Sequence, residues 1–236
     1  MKEKKEEKIE FVKWFSELNK TSGSVAGGKG ANLAEMYNLK INVPPGFIIT
    51  AQAYDYFIEK AGLKESIGTL LNGIDYEDTK KLNEITEKIR NLIVKAELPK
   101  EMKEEITESY ELLDTNNLKN VKGTILEILK TSEPIFVAVR SSATTEDLAG
   151  ASFAGQQETF LNVKGNTELL TSIKKCFASL FTSRATYYRH KKGFEHTKSS
   201  LAVVIQKMID SDKSGVAFSK DPTNKTEDII IEAVLD

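Results

Sequence analysis

Glycines and a lysine in the segment GSVAGGKG, residues 23–30, have the spacing of a loop that binds phosphate. Gly23, Gly28 and Lys29 match the first seven positions of the pattern G-x-x-x-x-G-K-[ST]. Gly30 stands where that pattern has the hydroxyl side chain that binds magnesium, which argues against a Walker motif. Backbone N–H groups at a glycine-rich helix start, together with the Lys29 ammonium, can bind phosphate in a loop of another kind.

Arg140 is a second candidate for phosphate binding, because it ends the buried-type strand PIFVAVR, residues 134–140. A guanidinium at a strand end can donate two hydrogen bonds to one phosphate group. The competing interpretation is a surface salt bridge with Glu146 or Asp147. The position of the arginine in the sequence does not decide between the two.

The loop that follows Arg140, SSATTEDLAGASFAGQQ, is rich in small and hydroxyl side chains and has almost no large apolar residue. Long loops of this kind inside compact domains are usually functional or disordered. Together with the strand ETFLNV at residues 158–163, this loop predicts a hairpin-like flap that covers phosphates. Gly155 would let the backbone of the flap approach a ligand, with a plain turn glycine as the alternative.

Gln206 and Met208 close a further buried-type strand, SLAVVIQKMI. An adenine base needs hydrogen bonds at its edge and an apolar surface against its face, which an amide, the backbone and a thioether can supply. An ordinary strand end is the competing interpretation. His190 and His196 lie in the polar segment YYRHKKGFEHTK, so we expect them to be surface histidines and not catalysts.

Composition excludes several classes of function. The 236 residues have a formal net charge of −2, which gives no basic field for nucleic acid. The one cysteine, Cys176, cannot form an internal disulfide, and the apolar pattern around it predicts burial on a helix. No segment reaches the ~18 apolar residues of a membrane span, and residues 1–10 lack the apolar stretch of a signal peptide. We therefore predict a cytoplasmic protein with no membrane partner and a disordered tail at residues 1–10.

A mixed α+β fold must position these side chains. Apolar residues at helical spacing predict a helix from the double glycine to Leu39, and a strand follows within residues 42–50. Residues 11–18 fit a short strand or a helical turn equally well. Residues 51–130 are rich in Glu, Lys, Leu and Ile at helical intervals, which predicts a helical subdomain inserted into a mixed sheet. We expect its helices to break at Gly62, Gly73, Pro99 and the segment DTNN.

The C-terminal part of the sequence predicts a helix over residues 166–192 and three strands, within residues 200–209, 214–222 and 227–236. The last strand is also the end of the chain, and no helix or loop follows to cover a sheet of this apolarity. We therefore expect the chain to be a fragment of a longer protein.

The sequence from about residue 11 to residue 236 resembles the nucleotide-binding N-terminal domain of phosphoenolpyruvate synthases, which are pyruvate, water dikinases. Pyruvate phosphate dikinases and rifampin phosphotransferases share this domain, and the segment SFAGQQETFLNV favours the synthases. The resemblance is carried by four blocks in the family's order: GGKGANLAEMYNLKINVPPGFIIT, FVAVRSSATTEDLAGASFAGQQETFLNV, FASLFTSRATYYR and VVIQKMIDSDKSGVAFSKDP.

The resemblance implies an ATP-grasp-like fold, in which ATP lies between two α+β lobes under a glycine-rich flap. Residues 11–236 would form this domain incompletely, truncated at the C-terminus. The helical insertion would occupy residues 51–130, and residues 200–236 would be the start of the second lobe.

The resemblance also assigns roles to individual residues. Lys29 and Arg140 match the positions that bind the ATP phosphates. Gly155 and Thr159 match flap positions, with Thr159 opening the strand after the flap. Gln206 matches the hinge residue that meets adenine, and Met208 would lie alongside it.

In the family, ATP passes its β,γ-diphosphate unit to a histidine on a separate domain, water takes the γ-phosphate, and AMP is released. The phosphohistidine then phosphorylates pyruvate on a third domain. The resemblance therefore implies a phosphotransferase portion that uses ATP and Mg²⁺, with metal ligands downstream of this chain. Its partners would be the phosphohistidine and pyruvate-binding domains, which the chain lacks.

The chain alone is expected to be inactive, since neither His190 nor His196 has the Thr-Ser-His-Gly-Gly context of the acceptor histidine. Two alternatives stay open at this point. The domain could belong to a pyruvate phosphate dikinase or a rifampin phosphotransferase. It could also be a nucleotide-binding fragment with no catalytic role.

Overall fold

A computed structural model of the chain describes residues 9–115, 134–144, 158–221, 223–224 and 226–235. Within these residues, a five-stranded sheet has the order β1-β2-β5-β3-β4, and every neighbouring pair of strands is antiparallel. A separate antiparallel pair, β6-β7, forms a second sheet. The strands are β1 (Val12–Trp14), β2 (Gly46–Ile49), β3 (Val137–Ala143), β4 (Thr159–Val163), β5 (Leu201–Lys207), β6 (Lys213–Phe218) and β7 (Ile230–Leu235).

Seven α-helices and seven strands occur among the described residues, so the predicted α+β class is confirmed. Three of them begin at hydroxyl or carboxylate caps: Thr50, Asp78 and Thr182 each accept a hydrogen bond from a backbone N–H of the first turn. The helices are α1 (Gly23–Asn38), α2 (Ala51–Lys60), α3 (Leu63–Leu71), α4 (Thr79–Lys95), α5 (Lys100–Thr115), α6 (Asn166–Ser179) and α7 (Ser183–Lys191).

The larger hydrophobic core lies between one face of the main sheet and helices α2 to α6. Alternate residues of the central strands, such as Val139 in β3 and Val203 and Ile205 in β5, point into it. The helices contribute residues at helical spacing, such as Ile89 and Ile93 of α4. All these side chains are 0% exposed, which explains why their segments have continuous or regularly spaced apolar residues.

A smaller core lies on the opposite face of the main sheet, under helix α1. Ile48 of β2 and Val204 of β5 pack there against Phe15 and the alanines of α1. The buried helix positions are small, so α1 lies close to the sheet: a Cβ added at Gly30 would be 2.9 Å from Cδ1 of Ile48. Strand β5 is covered on both faces, and six of its seven residues are buried.

The predicted helical segment contains helices α2 to α5 over residues 51–115. Gly62, Gly73 and Pro99 lie between these helices, as predicted. Gly62 and Gly73 have positive φ angles, which glycine adopts more readily than other residues, and this explains why glycine occupies these positions. The rest of the predicted insertion, residues 116–133, lies outside the described residues.

One expected boundary differs from the observed elements: the helix expected over residues 166–192 is two helices, α6 and α7, separated at residues 180–182. In the segment expected to be the start of the second lobe, residues 200–236, β5 pairs with β2 and β3 at the centre of the main sheet. Strands β6 and β7 pair with each other in a separate sheet.

Candidate phosphate-binding site

Helix α1 is interrupted at Gly27, whose φ of 67° and ψ of 169° are not helical. The stretch that carries Lys29 therefore starts at the double glycine, as predicted. A Cβ at Gly27 would lie 2.3 Å from both the carbonyl and the hydroxyl oxygen of Ser142, so the close approach of β3 requires glycine here.

Ser142 connects the two sides of this interruption. Its hydroxyl donates to the carbonyl of Ala26 at 2.8 Å and accepts from the N–H of Gly30 at 3.0 Å. The side chain is 0% exposed, so both hydrogen bonds are shielded from water. The N–H of Gly30 is thus bonded within the protein and is not one of the helix-start amides free to bind phosphate.

Lys29 lies against strand β3. Its Nζ donates to the carbonyl oxygen of Ser141 at 3.0 Å, across 112 positions of the sequence. The side chain is half-buried. This contact brings the ammonium to the residue that follows Arg140, so the two predicted phosphate ligands are neighbours in the structure.

Arg140 lies in the middle of β3, between Val204 of β5 and Thr159 of β4. The expectation that it ends a strand is wrong, because Ser141, Ser142 and Ala143 continue the pairing with β5. Side chains alternate along a strand, so Arg140 projects to the face on which Ser142 meets α1. Arg140 is half-buried, and it forms no ion pair with another described residue. Its proposed salt-bridge partners lie outside the described residues.

Hydrogen bonds join the start of β4 to β3 beside Lys29. The Ser141 hydroxyl accepts from the N–H of Glu158 at 3.0 Å, and the Ser141 N–H donates to the Glu158 carbonyl at 3.0 Å. Thr159 then pairs with Arg140 and is exposed. Gly155 and the rest of the predicted flap, residues 145–157, lie outside the described residues.

Gln206 shares the α1 face of the sheet with Arg140, because it is two residues from Val204 on β5 and pairs with Ala138. It is 8% exposed, and its Nε2 donates to the carbonyl of Pro44 at 3.2 Å. Met208 follows the end of β5 and is half-buried, and its N–H donates to the carbonyl of Phe136 at 2.9 Å. Both residues lie where the chain leaves the main sheet towards β6.

Cys176 is buried on α6 against the other face of β3, and its Sγ is 3.9 Å from the carbonyl oxygen of Val139. The prediction of a structural cysteine is confirmed. Burial raises the pKa of the thiol well above its usual range; the charge of Glu158 raises it further and that of Lys29 opposes the increase. The thiol is therefore protonated and unreactive at neutral pH.

The two histidines differ from each other. His190 is exposed, as expected, and its ring stacks on Tyr76 with centroids 3.7 Å apart. His196, for which the sequence also predicts a surface position, is half-buried between Tyr76 and the buried Arg189. Sequence reasoning missed this group. The one sequence signal for this buried group was Arg189, which lies on the same face of α7 as the buried residues Ala185 and Thr186.

No group of three or more His, Cys, Asp or Glu residues that could hold a metal ion occurs among the described residues. No helix within the same residues is both long enough and apolar enough to cross a membrane.

An α+β domain that brings a lysine on a glycine-hinged helix beside a half-buried strand arginine has the donor groups of a phosphate-binding domain. The chain belongs to the family described as "Pyruvate phosphate dikinase, AMP/ATP-binding domain", which it matches over residues 23–235.

Three similar curated proteins carry the name phosphoenolpyruvate synthase. A "Probable phosphoenolpyruvate synthase" of Methanocaldococcus jannaschii is 44% identical over 97% of this chain and 18% of its own length. The "Phosphoenolpyruvate synthase" of Pyrococcus furiosus is 43% identical over 94% of this chain and 30% of its own length. That of Helicobacter pylori is 42% identical over 94% and 26%, respectively. The chain thus spans less than a third of each of these relatives.

Proposed function

We propose that this chain is the ATP-binding portion of a phosphoenolpyruvate synthase. The observation that carries the proposal is the hydrogen bond from Lys29 to the carbonyl of Ser141, which joins the lysine loop to the strand of Arg140. The Lys29 ammonium and the Arg140 side chain, from distant parts of the chain, would then act together beside the start of β4. The names of the relatives support the synthase over the rifampin phosphotransferase and over a non-catalytic fragment.

The finer fold in this proposal is that of an ATP-grasp domain. The main sheet with its two cores would be the first lobe, with the helical insertion included. The second lobe would begin after Lys207 with β6 and β7 and continue downstream of residue 236. The antiparallel hairpin β6-β7, which pairs with no described strand of the main sheet, supports this division.

The proposed reaction passes the β,γ-diphosphate unit of ATP to a histidine on a separate domain, with AMP as the leaving group. Water then releases the γ-phosphate, and pyruvate on a third domain takes the remaining phosphoryl group. Lys29 and Arg140 would offset the negative charge that spreads over the phosphoryl oxygens, the main task of a protein in phosphoryl transfer. Magnesium, when bound, would supply further positive charge to the phosphates, on ligands outside this chain.

The other assigned residues would hold the rest of the nucleotide. Gly155 and Thr159 would lie at the flap over the phosphates, with Thr159 fixed beside Arg140 by strand pairing. Gln206 would meet the adenine edge if its side chain exchanged the Pro44 carbonyl for the base, and Met208 would contact the face of the base.

The direct test uses the complete enzyme that contains this chain and measures phosphorylation of its acceptor histidine by ATP. We expect Arg140→Ala to lower the rate by about 100-fold or more, since loss of one such charge contact commonly raises a barrier by a few kcal/mol. Arg184→Ala is the matched control, because Arg184 is an exposed arginine on α7. A rate within about twofold of the unmodified enzyme for Arg140→Ala, with the fold intact, would remove the assigned role.

A further inference from the structure

Ser141 of β3 departs from the regular hydrogen bonding of an antiparallel sheet. Two residues that face each other in a hydrogen-bonded pair normally exchange two backbone bonds, each N–H donating to the carbonyl of the other residue. The Ser141 N–H donates to the Glu158 carbonyl at 3.0 Å, which is the first bond of such a pair. The N–H of Glu158 instead donates to the Ser141 hydroxyl at 3.0 Å, so the side chain of the serine replaces its carbonyl as the acceptor.

The Ser141 hydroxyl suits this exchange because a hydroxyl group both donates and accepts hydrogen bonds. It also donates to the Glu158 carbonyl at 3.2 Å, so both backbone polar groups of Glu158 are bonded to the serine side chain. Ser141 is 1% exposed, which shields these hydrogen bonds from water. The start of β4 is therefore joined to β3 without use of the Ser141 carbonyl.

The Ser141 carbonyl accepts a hydrogen bond from Nζ of Lys29, at 3.0 Å. Hydrogen bonds with a charged donor are stronger than those between neutral groups. A backbone N–H of β4 on the same oxygen would compete with the ammonium, because the two donors would share one acceptor. The serine hydroxyl takes this N–H and thus leaves the carbonyl to Lys29.

The bond to Ser141 gives the Lys29 ammonium a defined position. A lysine ammonium stands on a flexible four-carbon stem, so a single acceptor in a rigid strand restricts it strongly. The acceptor belongs to the residue that follows Arg140, and Lys29 is half-buried there. An ammonium carries three N–H groups, so it can bond to the Ser141 carbonyl and to a phosphate oxygen at the same time.

We propose that Ser141 is a positioning residue for phosphoryl transfer: its hydroxyl replaces its carbonyl in the pairing with Glu158, and the carbonyl holds the Lys29 ammonium beside Arg140. The inference rests on the proposed function, in which Lys29 is a phosphate ligand. Ser141 acts through Lys29 and does not itself contact the nucleotide. Loss of the hydroxyl should let the Glu158 N–H move to the carbonyl, which restores a regular pair and displaces Lys29.

The first measurement needs no nucleotide. NMR of the 236-residue chain with isotope-labelled lysine follows hydrogen exchange of the Lys29 ammonium, whose resonance Lys29→Met identifies. We expect exchange to be at least about tenfold faster in Ser141→Ala, because the ammonium loses its acceptor, and to stay slow in Ser141→Thr, which keeps the hydroxyl. Ser179→Ala is the matched control, since Ser179 is also buried but donates to the Cys176 carbonyl of its own helix.

The second measurement uses the complete enzyme and the rate at which ATP phosphorylates its acceptor histidine. We expect Ser141→Ala to lower this rate by about tenfold or more, because a displaced ammonium no longer meets the phosphoryl oxygens. In the Lys29→Met background, the same substitution should change the rate by less than about twofold, since its effect passes through Lys29. A merely structural role of Ser141 would lower the rate to a similar extent in both backgrounds.

Two results would overturn the inference: unchanged exchange of the Lys29 ammonium in Ser141→Ala, or an equal loss of rate in the two backgrounds. If Ser141→Ala does not fold, the unmodified chain decides, because exchange as fast as that of the exposed Lys88 would show that Lys29 is not held. Failure of the proposed function has a different signature, a normal rate in Lys29→Met. The exchange measurement would then still decide whether Ser141 holds Lys29.

Discussion

At the residue scale, the candidate site depends on one glycine and one serine that the sequence motifs do not single out. Gly27 has a positive φ and touches β3, and Ser142 bonds to both sides of the helix interruption. The glycine-rich pattern indicated a phosphate loop, but it could not show which glycine makes the turn. That choice depends on the approach of a strand more than a hundred positions away.

The substitution Gly27→Ala should destabilise the protein by about 2 kcal/mol or more, because it combines a strained φ with a Cβ 2.3 Å from Ser142. Gly68→Ala is the matched control. Gly68 lies within α3 with nothing within 4 Å of an added Cβ, so this change should stabilise by about 0.5–1 kcal/mol. Urea unfolding measures both, and equal effects would contradict the role assigned to Gly27.

His196 gives a prediction for pH dependence. Burial, followed by the charges of Arg189 and His190, lowers its pKa from 6.5 to about 4. The unfolded chain therefore takes up this proton at a higher pH than the folded protein does. The contribution to stability is fully present above pH 6.5 and is lost as pH falls towards about 4.

The measurement is the free energy of unfolding at both ends of that interval for the protein and for His196→Asn, which keeps an acceptor for Arg189. Asp55 opposes the trend, because burial raises its pKa, so the difference between the two proteins isolates His196. We expect the loss of stability on acidification to be smaller in His196→Asn. An identical loss in both would show that His196 titrates normally.

At the element scale, strand β3 is the part of the fold that assembles the site. Three consecutive residues of β3 do this. Arg140 is one of the two proposed phosphate ligands. The Ser141 carbonyl accepts a hydrogen bond from Lys29, and the Ser141 hydroxyl accepts one from the N–H of Glu158 at the start of β4. Ser142 forms hydrogen bonds to both sides of the interruption in α1. The sequence predicted a strand here from its apolar residues, but Ser141 and Ser142 looked like the start of a loop. Their strand conformation depends on pairing with β5, which local sequence does not encode.

Other elements followed from local pattern alone. The apolar run of β5 and the helical spacing in α4 predicted their types and their burial. The sheet order could not be predicted in this way, because β5 inserts between β2 and β3, although more than fifty residues separate it from either strand along the chain. The polar cluster around Arg189 also depends on contacts between α7 and residues far away in the sequence.

Removal of the Ser142 hydroxyl should disturb both stability and nucleotide binding. Ser142→Ala leaves the Gly30 N–H and the Ala26 carbonyl buried without their partner, which costs about 1–3 kcal/mol. In the complete enzyme we expect KM for ATP to rise, because the Lys29 segment loses its anchor. Ser109→Ala is the control, since Ser109 bonds to its own helix at Glu105. Loss of stability with unchanged KM for ATP would limit Ser142 to a structural role.

At the scale of the whole molecule, the main sheet and the hairpin β6-β7 differ in how much of their surface other parts of the protein cover. Strand β5 is covered on both faces, whereas every described side chain of β6 is exposed. Val216, Phe218 and Ile231 of the hairpin are 53%, 43% and 73% exposed. A two-stranded sheet without a covered face is marginally stable in water.

Hydrogen exchange should therefore separate the two parts of this chain. We expect amides of β5 to exchange only through global unfolding, and amides of β6 and β7 to exchange at least about a hundredfold faster through local opening. Mass spectrometry of peptides from both sheets provides the comparison. Equal protection of the hairpin and β5 would contradict the expected difference in local stability.

The central claim is that Lys29 and Arg140 together bind the phosphates of ATP. It is tested most directly by a crystal structure of the complete enzyme with a non-hydrolysable ATP analogue and magnesium. We predict phosphate oxygens within about 3 Å of Lys29 Nζ and of the Arg140 guanidinium, with adenine beside Gln206. A nucleotide bound elsewhere, with neither cation in contact with a phosphate, would contradict the account.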